Sequence, residues 1–115
     1  MAKKDIRRHH RVSYLGRVVI SWVDPHGQPK YAPAKCLDVS EAGMRIETPE
    51  AIPVRTNVSL RAEQIDLAGS ATVKHLEGRG SKYILGLALS QALRDRTLKV
   101  IRDAEASGKL VSVAP

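Results

Sequence analysis

Residues 15–27 read LGRVVISWVDPHG, and this stretch determines the fold class that the sequence predicts. Its first nine residues are rich in β-branched side chains, which favour a strand. The last four are typical of a turn, because proline presets its φ and glycine tolerates the conformations that a reversal needs. The chain then returns as a second strand between Tyr31 and Val39. We therefore expect an antiparallel hairpin centred near residue 27, in which a position near 16 pairs with one near 38.

Further runs of alternating or apolar residues follow the hairpin and predict more strands. They lie at 44–47, 58–62, 66–77 and 82–90, and the segment from Glu77 to Ser81 is expected to form a loop. Gly86 lies inside the last run, where a glycine indicates a bend or a close approach of two backbones. Six or so antiparallel strands with short connections indicate a small barrel or sandwich. We expect a mainly β fold, a small six-stranded antiparallel β-barrel.

A period of 3.6 residues occurs only near the end of the chain and predicts a C-terminal α-helix. Ser90 can cap its start and Gly108 can stop it. Five residues share one face of this helix: Leu93, Thr97, Val100, Ile101 and Ala104. The domain is expected to span residues 13–106, after a flexible N-terminal arm at 1–12 and before a tail at 107–115.

The net charge of +7 is concentrated at the N-terminus. Residues 1–17 contain six Lys and Arg against one Asp, a local charge of +5. Such a cluster favours an anionic partner, and nucleic acid, an acidic membrane and a phosphorylated small ligand all qualify. No apolar stretch approaches the roughly 18 residues of a membrane span, and the single Cys36 cannot form an internal disulfide. We expect a cytoplasmic protein without membrane insertion, in which Cys36 is an ordinary buried thiol.

The arm contains the sequence RRHHR at residues 7–11, with arginines at Arg7, Arg8 and Arg11. A guanidinium group is well suited to a phosphate or to the O6 and N7 edge of guanine, because its planar fork donates two parallel hydrogen bonds. Three arginines within five residues could surround one polyanionic ligand. A solvated run of charge fits this motif alone equally well.

A second motif, DVSEAG at residues 38–43, combines an acid, a hydroxyl and a glycine. As a purely structural motif it is a tight turn, in which Asp38 and Ser40 bond local amides and Gly43 supplies a positive φ. As a binding motif, Asp38 accepts from guanine N1 and N2, Ser40 reaches a phosphate or a base, and Gly43 lets the backbone approach. The predicted hairpin brings the arm beside Asp38. The two motifs therefore have complementary chemistry for a guanine nucleotide at one end of the sheet.

The order of these features resembles the PilZ domain family, whose members are bacterial receptors for the second messenger cyclic di-GMP. The family pattern is R-x-x-x-R, then D/N-x-S-x-x-G after one hairpin, then a small barrel and a C-terminal helix. The resemblance covers residues 6–105 of this chain. The resemblance implies no cofactor, no metal and one set of ligand-binding residues: Arg7, Arg8, Arg11, Asp38, Ser40 and Gly43. Gly86 matches the late glycine of the family's final strand. The chain has Val73-Lys74-His75 where a bulky side chain can back a guanine, which affects the expected affinity and stoichiometry.

The resemblance implies that the arm folds over the ligand and that an unidentified downstream protein recognises its new position. Two alternatives stay open. One is a PilZ-like adaptor without nucleotide binding, and the other is a small basic barrel that binds nucleic acid. The latter needs aromatic stacking platforms, and the chain has only one Trp and three Tyr. An enzyme is not expected, because Ser40 lacks a glycine-flanked elbow and the histidines show no metal-ligand spacing with Cys36.

Overall fold

The computed structural model describes residues 16–40, 43–62 and 67–106. These residues form six strands and one helix: β1 (Arg17–Val23), β2 (Pro29–Ser40), β3 (Gly43–Thr48), β4 (Asn57–Ala62), β5 (Leu67–Arg79), β6 (Lys82–Leu89) and α1 (Gln91–Ala106). Neighbouring strands are antiparallel and close into a barrel in the order β1-β2-β3-β6-β5-β4. The predicted six-stranded antiparallel barrel with a C-terminal helix is confirmed. The predicted arm at 1–12 and tail at 107–115 lie outside the described residues.

The β1–β2 hairpin forms as the sequence predicts, but its register differs by two residues. The carboxylate of Asp24 holds the turn, because its Oδ1 accepts from backbone N–H groups two and four residues later at 2.9 Å. The N–H of Cys36 donates to the carbonyl of Gly16 at 2.8 Å. Gly16 therefore faces Cys36, and the predicted pairing with a position near 38 is wrong because the turn centres on residue 26 rather than 27.

The β5–β6 hairpin is longer than predicted and its loop is shorter. The segment from Glu77 to Arg79 belongs to β5 rather than to a loop, and Arg79 pairs with Lys82. The connection is Gly80-Ser81, where Gly80 has a φ of 60°. A glycine with this φ at the first position of a two-residue connection is typical of a type II′ turn, whose twist matches that of the strands. Sequence reasoning missed the extension because its glycines and charges are typical of a loop.

Alternate strand residues point into the barrel and form one core. The large side chains with less than 2% exposure include Ile20, Met44, Ile46, Leu60 and Leu85. Burying one such side chain stabilises the fold by about 1.5–3 kcal/mol, so this core is the main source of stability. The outward-facing residues between them are free to take part in binding.

The helix α1 begins at the predicted cap and packs beside β5. Ser90 Oγ accepts from the backbone N–H of Leu93 at 3.2 Å. Leu93 packs directly on Gly69, where a Cβ would lie 2.7 Å from the Leu93 Cβ. Arg96 Nη2 donates to the carbonyl of Ala68 at 2.6 Å, so the helix satisfies part of the β5 edge. The predicted stop at Gly108 lies outside the described residues, within which no helix has the length and apolar character needed to cross a membrane.

The buried face of α1 contains an unpaired hydroxyl. Thr97 is fully buried, and among the described residues its Oγ1 is the one buried side-chain polar atom without a hydrogen-bond partner. Because such an atom costs about 1–3 kcal/mol, we expect Thr97→Val to raise the free energy of unfolding by about 1 kcal/mol in urea denaturation. Thr97→Ser is the matched control, since it keeps the hydroxyl and loses the methyl, and it should destabilise the fold. A destabilising valine would contradict the prediction.

Candidate functional site

Four residues form a line across four neighbouring strands on the outside of the barrel. Asp38 of β2 lies opposite Arg45 of β3, Arg45 lies opposite Gly86 of β6, and Gly86 lies opposite His75 of β5. We call these four residues the outer row. Since neighbouring strands lie about 4.8 Å apart, the outer row spans about 14 Å. This length is suited to a ligand larger than a single phosphate.

A bulge turns each end of the outer row towards the outside. The register shifts between Cys36 and Asp38 in β2, and between Val73 and His75 in β5. Cys36 and Val73 are both buried, so strict alternation would also point the residue two positions later into the core. The extra residue in each bulge reverses this direction. The two bulges therefore place a carboxylate and an imidazole on the outer surface.

Asp38 is paired with Arg45 within the outer row. Both Arg45 Nε and Arg45 Nη2 donate to Asp38 Oδ2 at 2.9 Å, and the side chains of Arg45 and Asp38 are 55% and 21% exposed. An exposed ion pair of this kind is worth at most about 1 kcal/mol, so Arg45 can reorient at little cost when a ligand arrives. Sequence reasoning did not name Arg45. The alternation of residues 44–47 could have placed it on the outer face.

Two glycines shape this surface. A Cβ on Gly43 would overlap the carbonyl oxygen of Leu87, so a glycine there lets β3 approach β6 closely. A Cβ on Gly86 would lie 3.2 Å from both Cβ and Cδ2 of His75, so the imidazole lies over this glycine. The sequence predicts a bend or a close approach of two backbones at Gly86, whereas the atoms that lie close to it belong to the His75 side chain. Because Gly86 has no side chain, the His75 imidazole fits against the backbone of β6, next to the position that Gly86 shares with Arg45.

The structure describes residues 38–40 and 43 of the second predicted motif and none of the first. Asp38 lies in the outer row, and Ser40 lies directly opposite Gly43 where β2 ends and β3 begins. The three arginines of the arm lie outside the described residues: Arg7, Arg8 and Arg11. The structure thus brings Asp38 together with three residues that the two motifs do not include: Arg45, His75 and Gly86.

Cys36 lies inside the barrel, two residues before Asp38, and is 4% exposed. Its Sγ donates to the carbonyl oxygen of Asp38 at 3.9 Å. Burial, with a smaller contribution from the Asp38 carboxylate, raises the pKa of the Cys36 thiol to about 12. The predicted buried thiol is confirmed, and at neutral pH it is protonated and inert as a nucleophile.

The raised pKa of Cys36 predicts a specific loss of stability at high pH. The thiol ionises in the unfolded chain before it does so in the folded chain. The protonated thiol therefore contributes its full stabilisation at pH values below the pKa of Cys36 in the unfolded chain. This stabilisation is lost as pH rises towards the pKa of about 12 in the folded chain. Between about pH 8 and pH 10.5, the free energy of unfolding should fall by about 2 kcal/mol more in the native chain than in Cys36→Ala. Urea denaturation at both pH values measures this difference, and equal falls would contradict it.

The outer row combines one hydrogen-bond acceptor, one cation that can reorient, and a flat imidazole that lies over a glycine. These groups suit a ligand with a planar base and an anionic group. Within the described residues, no group of three or more His, Cys, Asp and Glu is arranged to hold a metal ion.

Comparison with known proteins gives one finding on the family. The family model described as PilZ domain matches residues 5–104, which include both motifs, the whole barrel and most of α1. No curated protein matches the chain.

Proposed function

This chain belongs to the PilZ domain family, and from that premise we propose that it is a bacterial, cytoplasmic receptor that binds cyclic di-GMP and relays binding to a partner protein. The family is one of cyclic di-GMP receptors. The observation that best supports the proposal for this chain is the outer row. It puts the motif acid Asp38 on the same exposed surface as a cation and an imidazole that lies over a glycine.

The outer row supplies contacts for one guanine base. Asp38 accepts from N1 and N2 of the base, and Arg45 turns from Asp38 towards O6, N7 or a phosphate. The imidazole of His75 lies over Gly86, where it can support the face of the base by stacking. His75 thus takes the place of the bulkier side chain that can back a guanine at this position of β5.

The arm supplies the remaining charge. Arg7, Arg8 and Arg11 cover the phosphates with charge-assisted hydrogen bonds, each worth about 1.5–3 kcal/mol. These bonds offset the entropy lost when the arm is ordered on the ligand. The ordered arm is then the feature that the partner protein recognises. The proposal includes no catalytic step and no cofactor, since the outer row offers donors and acceptors rather than a nucleophile with a base.

The proposal is tested by calorimetric titration of the full chain with cyclic di-GMP. GMP and a short single-stranded oligonucleotide are the controls. Binding of the cyclic dinucleotide alone, at micromolar affinity or tighter, supports the receptor and gives its stoichiometry. No heat with cyclic di-GMP indicates the adaptor instead, and heat with the oligonucleotide indicates a nucleic-acid barrel.

A further inference from the structure

A groove opens in the barrel wall where β1 and β4 separate. Their register ends where Ser21 lies opposite Ser59, two residues before β1 ends and two residues after β4 begins. The groove has a volume of about 660 Å³ and is lined in part by Trp22, Val23, Tyr31, Pro53 and Asn57. Where a ladder between two strands ends, their edges can accept an added extended chain.

Exposed apolar side chains lie along this groove. Tyr31 is 73% exposed and Val23 is 61% exposed, the two largest values among the exposed large hydrophobic residues that the structure describes. Tyr31 lies opposite Ser21, and Val23 is two residues further along β1. Exposed aromatic and apolar side chains grouped in this way are typical of an interaction surface.

Basic residues lie beyond the end of the groove at which Ser21 is opposite Ser59. Arg17 of β1 is directly opposite Lys35 of β2, although like charges at opposite positions destabilise a sheet. Arg61 of β4 lies opposite Ala68, whose carbonyl accepts from Arg96. Glu47 lies on the other side of Lys35 and offsets its charge.

The other three basic residues of this face have no acidic residue opposite them on a described neighbouring strand. Among the described residues, Arg17, Arg61 and Arg96 form no salt bridge. The outward positions of β1 and β4 contain no acid. Within residues 16–40, 43–62 and 67–106, the charge on this face therefore has no ion-pair partner.

We propose that this surface, the groove together with Arg17, Arg61 and Arg96, binds an extended acidic segment of a partner protein. Charge complementarity selects the acidic segment, whose carboxylates contact the arginines while an apolar residue enters the groove beside Tyr31. We call this surface the β1–β4 face. In the closed strand order β1 lies across the barrel from β6, and β4 from β3. The β1–β4 face is thus separate from the outer row and does not rest on nucleotide binding.

Other occupants fit the β1–β4 face less well. Single-stranded nucleic acid stacks its bases on several aromatic side chains. Among the described residues, the groove is lined by two aromatic side chains, of which Tyr31 is exposed and Trp22 is partly buried. A second copy in a two-fold contact would put the same cations against each other, which repels. An acidic protein segment avoids both difficulties.

The test is an NMR titration of the ¹⁵N-labelled full chain with a synthetic acetylated peptide, in which a run of Asp and Glu precedes Leu-Pro-Leu-Trp. A second peptide replaces every Asp and Glu by Asn and Gln. We expect saturable amide shifts in β1, β4 and the start of β2, and about ten-fold weaker binding of the uncharged peptide. The double variant Arg17→Gln/Arg61→Gln should bind the acidic peptide about five-fold more weakly, and so should Tyr31→Ser.

A matched control removes the same charge elsewhere. Arg79→Gln/Lys82→Gln changes two exposed cations at the tip of the β5–β6 hairpin and should leave affinity within about two-fold. The proposal is overturned if both peptides bind equally or if the two double variants lose equal affinity. It is also overturned if the amide shifts are centred on the outer row or do not saturate. Larger shifts in β1 and β4 with a single-stranded oligonucleotide would assign the surface to nucleic acid instead.

Discussion

Replacing Gly43 by alanine is expected to lower the free energy of unfolding by about 3 kcal/mol. The added Cβ would overlap the carbonyl oxygen of Leu87 and lie 3.1 Å from its carbon. Both atoms belong to the backbone of β6, which cannot move aside without disturbing its pairing with β3. Urea denaturation measures the loss, and the melting temperature should fall by about 10 °C.

The matched control for this variant is Gly27→Ala in the β1–β2 turn. Gly27 has a φ of 81°, and a Cβ there would meet nothing within 4 Å. Its replacement therefore tests the cost of a positive φ without a collision, which is about 1 kcal/mol. Equal losses in the two variants would show that close approach of β3 to β6 is not the reason for Gly43. Since Gly43→Ala should disturb the fold beside the outer row, weaker ligand binding by this variant alone would not identify a contact.

Local sequence signals were enough for most of the fold. The β-branched run of residues 17–23, the turn chemistry after it and the cap at Ser90 each depend on near neighbours in the chain, and each is found where the sequence predicts it. The hairpin register differed because it depends on the turn centre, where an error of one residue shifts the pairing by two.

The outer row could be predicted only in part. The motif DVSEAG singled out Asp38, but a simple alternation from the buried Cys36 would have pointed this acid into the core. The bulges that turn Asp38 and His75 outward are set by pairing with a partner strand, which a single run of residues does not encode. Arg45 is different, because its outward direction follows from the alternation of residues 44–47 alone. Its contact with Asp38 still depends on the register between β2 and β3.

The prediction with the largest effect on binding concerns the arm. If the chain binds cyclic di-GMP as proposed, Arg11→Ala should weaken that binding about ten-fold to a hundred-fold in calorimetry. Arg11 is the second arginine of the R-x-x-x-R motif. Removing it deletes charge-assisted hydrogen bonds while the ligand's phosphates keep their charge. A lysine at this position should restore only part of the affinity, because an ammonium group lacks the planar fork.

A comparison with Arg79→Ala separates this local effect from the effect of net charge. Arg79 lies at the tip of the β5–β6 hairpin, so its loss changes the charge equally and should leave the affinity within about two-fold. Arg11 belongs to the arm that the sequence predicts to be flexible, so Arg11→Ala should keep the unfolding free energy of the native chain, unlike Gly43→Ala. Unchanged affinity in Arg11→Ala would remove this residue from the site. Equal losses of affinity in the two arginine variants would instead attribute binding to the overall charge of the protein. A direct contact depends on the position of the arginine, whereas long-range attraction depends mainly on the net charge.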